Sequence, residues 1–304
     1  MKRFFILLWV VLDLALFAAV MAAPLFKKDE LPFEGQKVLV IGDSLTAAGQ
    51  WQRELDKELG MEVTTRAKGG LGLIQMVDGD GAGLAPLSVA DVKDQDLIIL
   101  YGGYNNRGRL AGSVGDRYNP DGTGQSSFAG CMQYAIDRIR DTLDAAGNED
   151  CEIMIVTMHC AGKYGWIDAD AFAEYPIGSG QTMETLVDIQ IAVAKANGLK
   201  YVDLFRTCPI GPGTWDIYSK DSRAVVTKYS PYLLDENGDP VSEERMTYVP
   251  GEWYYQTSSG KVMYKQYDGT TPHPYNGDQL HLNTRGYHLV GQTIVNRIRN
   301  VYGK

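Results

Sequence analysis

The feature that most constrains this chain is the alternation of short, almost wholly apolar runs with amphipathic stretches of helical period. "KVLVI" (37–41), "MEVTTRA" (61–67), "DLIILY" (96–101), "CEIMIVTM" (151–158) and "KYVDLF" (200–205) read as strands, the second weaker than the rest. Between them, residues 49–60 place Trp51, Leu55 and Leu59 four apart. Residues 128–143 put Met132, Ile136, Ile139 and Leu143 on one stripe, and residues 182–198 form a third helix. Gly60, Gly147 and Gly198 stand where these helices should stop. A closing helix follows Leu282, with Thr284 as its expected N-cap and Val290, Ile294, Ile298 and Val301 at helical spacing. Strands apolar along their whole length are buried on both faces. Parallel strands joined by helical crossovers meet that demand, so the expected fold is an α/β sandwich with helices on both sides of a parallel, roughly five-stranded sheet.

One region breaks the alternation. Residues 207–275 carry Tyr218, Tyr229, Tyr232, Tyr248, Trp253, Tyr254, Tyr255, Tyr264, Tyr267 and Tyr275 among Gly, Pro, Asn and Asp. Within it, residues 246–267 read as a hairpin turning at "SSG", so the region is expected to be a β-rich insertion. Its tyrosines suit either a small packed lobe or a substrate platform.

The N-terminus differs in kind. Lys2 and Arg3 precede an apolar run from Phe4 to Phe26, broken only by Asp13 and closed by Lys27 and Lys28. This is the pattern of a signal peptide or of a membrane anchor. Residues 1–30 are assigned to that segment and 31–304 to one domain with its insertion at about 207–275. The protein is then expected outside the cell or at its surface, secreted or held by the N-terminal segment. A net charge of −9 and no basic cluster in the body of the chain argue against nucleic acid as a partner. Cys131, Cys151, Cys160 and Cys208 allow two disulfides or buried free thiols.

In an open parallel sheet, ligands bind where the strands end at their carboxyl edge. Read there together, the chain offers Gly42, Asp43 and Ser44; then "RAKGGLG" (66–72); then "GGYNN" (102–106); then His159; and, before the last helix, "DQLHLN" (278–283). That rim collects a hydroxyl, glycines, an amide and an imidazole with a carboxylate three residues away. A serine hydroxyl becomes a competent nucleophile when a base takes its proton, and an oxyanion needs donors already aimed at it. Ser44 is the candidate nucleophile, His281 the base and Asp278 the carboxylate that orients it. The oxyanion donors are sought among the Ser44 N–H, an N–H of the Gly69–Gly72 loop and the Asn105 amide. Asp43 reads as a turn brace. Of the other histidines, His159 competes for the role of base, His273 reads as loop surface and His288 as packed or solvated. No His, Cys, Asp or Glu cluster has metal-ligand spacing, so neither metal nor cofactor is expected.

"GDSL" (42–45) after an apolar strand, the glycine loop, "GYN" (103–105) and "DQLH" (278–281), in this order, resemble the four signature blocks of the SGNH (GDSL) hydrolase family. The resemblance spans about 37–304 and implies a flavodoxin-like three-layer α/β/α domain. It also implies Ser44, His281 and Asp278 as the triad, with oxyanion donors from Ser44, a second-block glycine and Asn105. Two blocks depart from the family pattern: Ala67 stands where the second block has Asn, and Asn106 where the third has Asp. Gly69 and Gly72 keep the glycine register, which makes Gly72 the expected donor and Gly70 the fallback. The implied protein is a serine esterase acting through an acyl-Ser44 intermediate on a small-molecule or polysaccharide ester, with O-acetyl groups on carbohydrate as the expected bond. A surface lipase or acyltransferase, and a non-catalytic carbohydrate-binding protein on the same scaffold, are the alternatives.

Overall fold

Five parallel strands form the centre of the protein in a computed structural model. It describes residues 31–120, 126–160, 181–211, 214, 218 and 280–303, and the backbone of three further strands between 246 and 266. The strands are β1 (Lys37–Gly42), β2 (Glu62–Ala67), β3 (Leu97–Tyr101), β4 (Glu152–Val156) and β5 (Lys200–Val202). Their order is β2-β1-β3-β4-β5, all parallel. This is the doubly wound order whose switch point lies between β1 and β3. The chain therefore forms the expected three-layer α/β sandwich.

Burial explains the composition of each strand. β3 is covered on both faces and all five of its residues are buried, whereas edge strand β2 is largely exposed, which is why its sequence reads more weakly. Helices α1 (Ser44–Ala47), α2 (Arg53–Leu59), α3 (Leu73–Asp78), α4 (Val89–Val92), α5 (Phe128–Ala146), α6 (Met183–Ala196), α7 (Leu204–Thr207) and α8 (Thr284–Tyr302) surround the sheet. α8 packs on α2, while α5 packs on α3, α4 and α6. The expected apolar stripes face inward: Trp51, Leu55 and Leu59, then Met132, Ile136 and Ile139, then Val290, Ile294 and Ile298 are all buried. Each such aliphatic side chain contributes about 1.5–3 kcal/mol by leaving water. Gly291 lets α8 approach closely, since a Cβ there would sit 2.6 Å from the Trp51 carbonyl oxygen.

Three elements depart from the sequence reading. The fifth strand stops at Val202, because the Asp203 carboxylate accepts the Arg206 N–H and turns residues 204–207 into α7. α8 is capped by Asn283, whose Oδ1 accepts the Gly286 N–H at 3.0 Å; Thr284 is its first helical residue. In the insertion, the strand pair around "SSG" is part of a three-stranded antiparallel sheet, β6 (Met246–Val249), β7 (Glu252–Gln256) and β8 (Val262–Gln266). None of Cys131, Cys151, Cys160 and Cys208 is in a disulfide. Residues 1–30 lie outside the described residues, and no described helix is long and apolar enough to cross a membrane.

Candidate active site

The turn from β1 into α1 puts a serine at the rim of the sheet. Gly42 permits that turn: a Cβ there would lie 2.7 Å from the Tyr101 carbonyl oxygen and 2.6 Å from Thr46 Cβ. Asp43 caps the short helix, its Oδ1 accepting the Leu45 N–H at 3.0 Å. The carboxylate is fully buried, and its Oδ2 has no hydrogen-bond partner among the described residues. Burial therefore pushes the Asp43 carboxyl from 3.8 up to about 6, with the Leu45 N–H, His281 and Arg107 pulling the other way.

His281 reaches the same point from the far end of the chain. Leu282 is buried and Asn283 caps α8, so the segment before the helix is pinned against the sheet edge. A hydrogen bond of 2.7 Å joins His281 Nε2 to Ser44 Oγ, across 237 residues of sequence. With Nε2 unprotonated the hydroxyl donates, which is the geometry in which an imidazole takes a serine proton. Asp278, the expected partner of His281, lies outside the described residues.

Three groups are the candidate oxyanion donors. The Ser44 N–H belongs to the first residue of α1 and has no intrahelical acceptor. Asn105 sits in a 3-10 turn (Tyr104–Asn106) directly after β3; its Nδ2 donates to the Leu71 carbonyl at 2.9 Å, which leaves the second amide proton available. Gly72 caps α3, and its N–H donates to Gln75 Oε1 at 2.8 Å, so this amide is engaged within its own helix cap. Gly69 approaches the nucleophile, as a Cβ there would lie 3.7 Å from Ser44 Cβ, while Gly70 holds a left-handed φ of 82°. Asn106 braces the loop: its Oδ1 accepts the Leu73 N–H at 2.7 Å. The amide thus ties the third block to the start of α3 where the family pattern has a carboxylate.

The other histidines are elsewhere or otherwise occupied. His159 is fully buried, with ring nitrogens 2.8 Å from the Tyr101 hydroxyl and 3.1 Å from the Leu280 carbonyl oxygen. His288 of α8 pairs with Glu54 of α2 at 2.9 Å, and His273 lies outside the described residues. Next to the Ser44–His281 pair in sequence, a groove of about 430 Å³ is lined by Gln50, Arg53, Glu54, Tyr218, Thr284, Arg285, His288 and Leu289. Nothing in the sequence pattern announces this groove, because its walls come from α2, the start of α8 and Tyr218. Among the described residues, no three His, Cys, Asp or Glu side chains converge to hold a metal ion.

A parallel sheet in 2-1-3-4-5 order, with "GDSL" turning out of β1 beside the β1/β3 switch point, defines a serine hydrolase of the SGNH type. The chain belongs to the GDSL-like lipase/acylhydrolase family, whose family model matches residues 40–227, more than half its length. Family membership establishes ester hydrolysis as its general chemistry. Comparison with curated protein sequences finds no match. Among solved structures, a Lactobacillus plantarum protein is similar at 14% identity and a TM-score of 0.50, over 88% of this chain and 98% of that one. A Bacillus subtilis protein matches at 12% identity and a TM-score of 0.42, over 90% of this chain and 59% of its own. At 14% identity the first of these likenesses speaks to fold alone.

Proposed function

We propose that the protein is an esterase acting outside the cytoplasmic membrane, removing short acyl groups, acetyl above all, from carbohydrate through a covalent acyl-Ser44 intermediate. The observation that carries the reading is the 2.7 Å contact between Ser44 Oγ and His281 Nε2 at the carboxyl edge of the sheet. His281 takes the hydroxyl proton as Ser44 attacks the ester carbonyl, and returns it to the departing sugar hydroxyl. It then deprotonates the water that releases acetate. Asp278 orients His281 and stabilises the imidazolium. The Ser44 N–H, the Asn105 amide and the Gly72 N–H hold the oxyanion, the last after the Gln75 side chain gives up its hydrogen bond.

One feature supports a short acyl group on a polar substrate. Among the described residues only Val89, Leu110 and Val114 are large apolar side chains left exposed, fewer than a lipid-binding patch of several hundred Å² requires. The basic, apolar and again basic run of residues 2–28 supports export or anchoring.

The test is hydrolysis of p-nitrophenyl acetate, butyrate and octanoate by the wild type and Ser44→Ala, with acetate release from acetylated xylan measured alongside. Turnover that disappears in the variant, falls with acyl length and extends to the polysaccharide is the expected result. A preference for octanoate moves the protein to the lipase reading. Glycan binding that survives Ser44→Ala, with no wild-type turnover, moves it to the binding reading.

A further inference from the structure

We infer that His159, outside the expected triad, is a positioning residue that holds the backbone of the His281 segment in place for catalysis. The inference rests on the reading of His281 as the general base. His159 lies three residues beyond β4, at the same rim as Ser44, and is fully buried. A buried imidazole is tolerated when its nitrogens are paired, and here both are. Nε2 lies 3.1 Å from the Leu280 carbonyl oxygen. A carbonyl accepts only, so Nε2 carries the proton and donates. In the neutral ring Nδ1 is then an acceptor, and the Tyr101 hydroxyl donates to it at 2.8 Å. Burial holds the Tyr101 phenol well above its ordinary value, which keeps that donor protonated.

The pairing also fixes what His159 does not do. Its Nε2 is committed to a backbone carbonyl, so it is not the proton acceptor for Ser44. Its partners are what matter. Tyr101 ends β3, and Tyr104, whose hydroxyl donates to the His159 carbonyl, opens the turn that carries Asn105. The Tyr104 and His159 rings stack at a tilt of 54°, with centroids 5.2 Å apart. Leu280 precedes His281 directly, and the carbonyl that His159 holds shares a peptide plane with the His281 N–H. One buried ring thus links the floor under Asn105 to the peptide from which His281 springs. An apolar residue would fill this volume without desolvating polar groups; what the hydrogen-bonded arrangement adds is orientation.

The experiment compares the full-length wild type with His159→Leu, His159→Gln and Tyr101→Phe, with Ser44→Ala and His281→Ala as references. It reads kcat and KM for p-nitrophenyl acetate and the rate at which a fluorophosphonate labels Ser44. His159→Leu fills the space without either hydrogen bond; a base displaced by about 1 Å costs up to about 10² in rate. The expected result is a kcat and a labelling rate lowered together by about ten- to a hundredfold, with KM within about threefold of wild type. Gln carries an N–H at the Nε2 position, so His159→Gln should recover most of the loss. Tyr101→Phe keeps the ring, and therefore the core, while releasing Nδ1, and a several-fold loss of kcat is expected even if His159→Leu fails to fold. Wild-type kcat in both His159→Leu and Tyr101→Phe, a loss confined to KM, or a Gln variant no better than Leu would overturn the inference. Activity retained by Ser44→Ala or His281→Ala would instead overturn the reading on which it rests.

Discussion

Replacing Asp43 with Asn tests the electrostatics of the nucleophile turn, because it removes a charge while keeping shape and the Leu45 hydrogen bond. The Asp43 carboxylate is fully buried, its Oδ2 has no partner among the described residues, and burial pushes the group from 3.8 up to about 6. At 1.36 kcal/mol per pKa unit that gap is about 3 kcal/mol. The sign follows from proton binding. Between about pH 4 and pH 6 the folded protein holds this proton more tightly than the unfolded chain, so stability is lost as pH rises through that window. Above it the charged carboxylate costs about 3 kcal/mol. The amide of Asp43→Asn is neutral throughout, so the stability of the variant relative to wild type should grow by about 3 kcal/mol between pH 4 and pH 7.5. Subtracting the two proteins cancels the titration of every other group. Guanidinium unfolding at half-unit pH intervals measures the difference directly. A difference flat to within about 1 kcal/mol, or one that shrinks as pH rises, would refute the reasoning. Activity should move the other way: His281 is among the groups that hold the carboxyl down, so the same attraction stabilises the imidazolium formed during turnover. The stabilised variant is therefore expected to be slower.

Asn105→Ala should lower kcat by about 10²–10³ with KM little changed, and a loss of less than tenfold in steady-state assays would remove the amide from the oxyanion site. Asp278→Asn should cost up to about 10⁴ in kcat; full activity in that variant would leave His281 without the proposed orienting partner. Gln75→Ala releases the Gly72 N–H at a cost of about 1 kcal/mol of helix capping. Its kcat should rise, and a fall measured at unchanged secondary structure would assign the oxyanion contact to another amide. Gln190→Leu is a test of the scaffold. The buried amide accepts the Met158 N–H at 3.0 Å and donates to the Gly102 carbonyl at 2.9 Å, joining the ends of β4 and β3. Each orphaned backbone group costs about 1–3 kcal/mol, so the denaturant midpoint should drop accordingly, and an unchanged midpoint would mean that solvent or a rearranged side chain replaces the bond.

The architecture is legible wherever one physical demand dominates a segment. β1, β3 and β4 are buried on both faces, so their sequences are apolar throughout and their ends can be read to within a residue or two. Short elements carry no such signature. α3 and α4 hold six and four residues, too few to display a helical period, and α7 depends on one Asp203 cap competing with a strand-like composition. At the site, motif order and the rule that ligands gather at strand ends select Ser44 and His281, although 237 residues separate them. The same rule places His159 on that rim but does not tell a base from a brace. Its distinguishing contacts run to Tyr101 and Leu280, 58 and 121 residues away, and a hydrogen-bond direction is a property of the assembled rim rather than of spacing. Gly72 repeats the point in miniature: its register is visible in the sequence, but the Gln75 oxygen on its N–H arrives only once α3 is wound. Sequence motifs of this kind therefore specify which atoms arrive at the rim, while the buried side chains beneath it decide which are free to act.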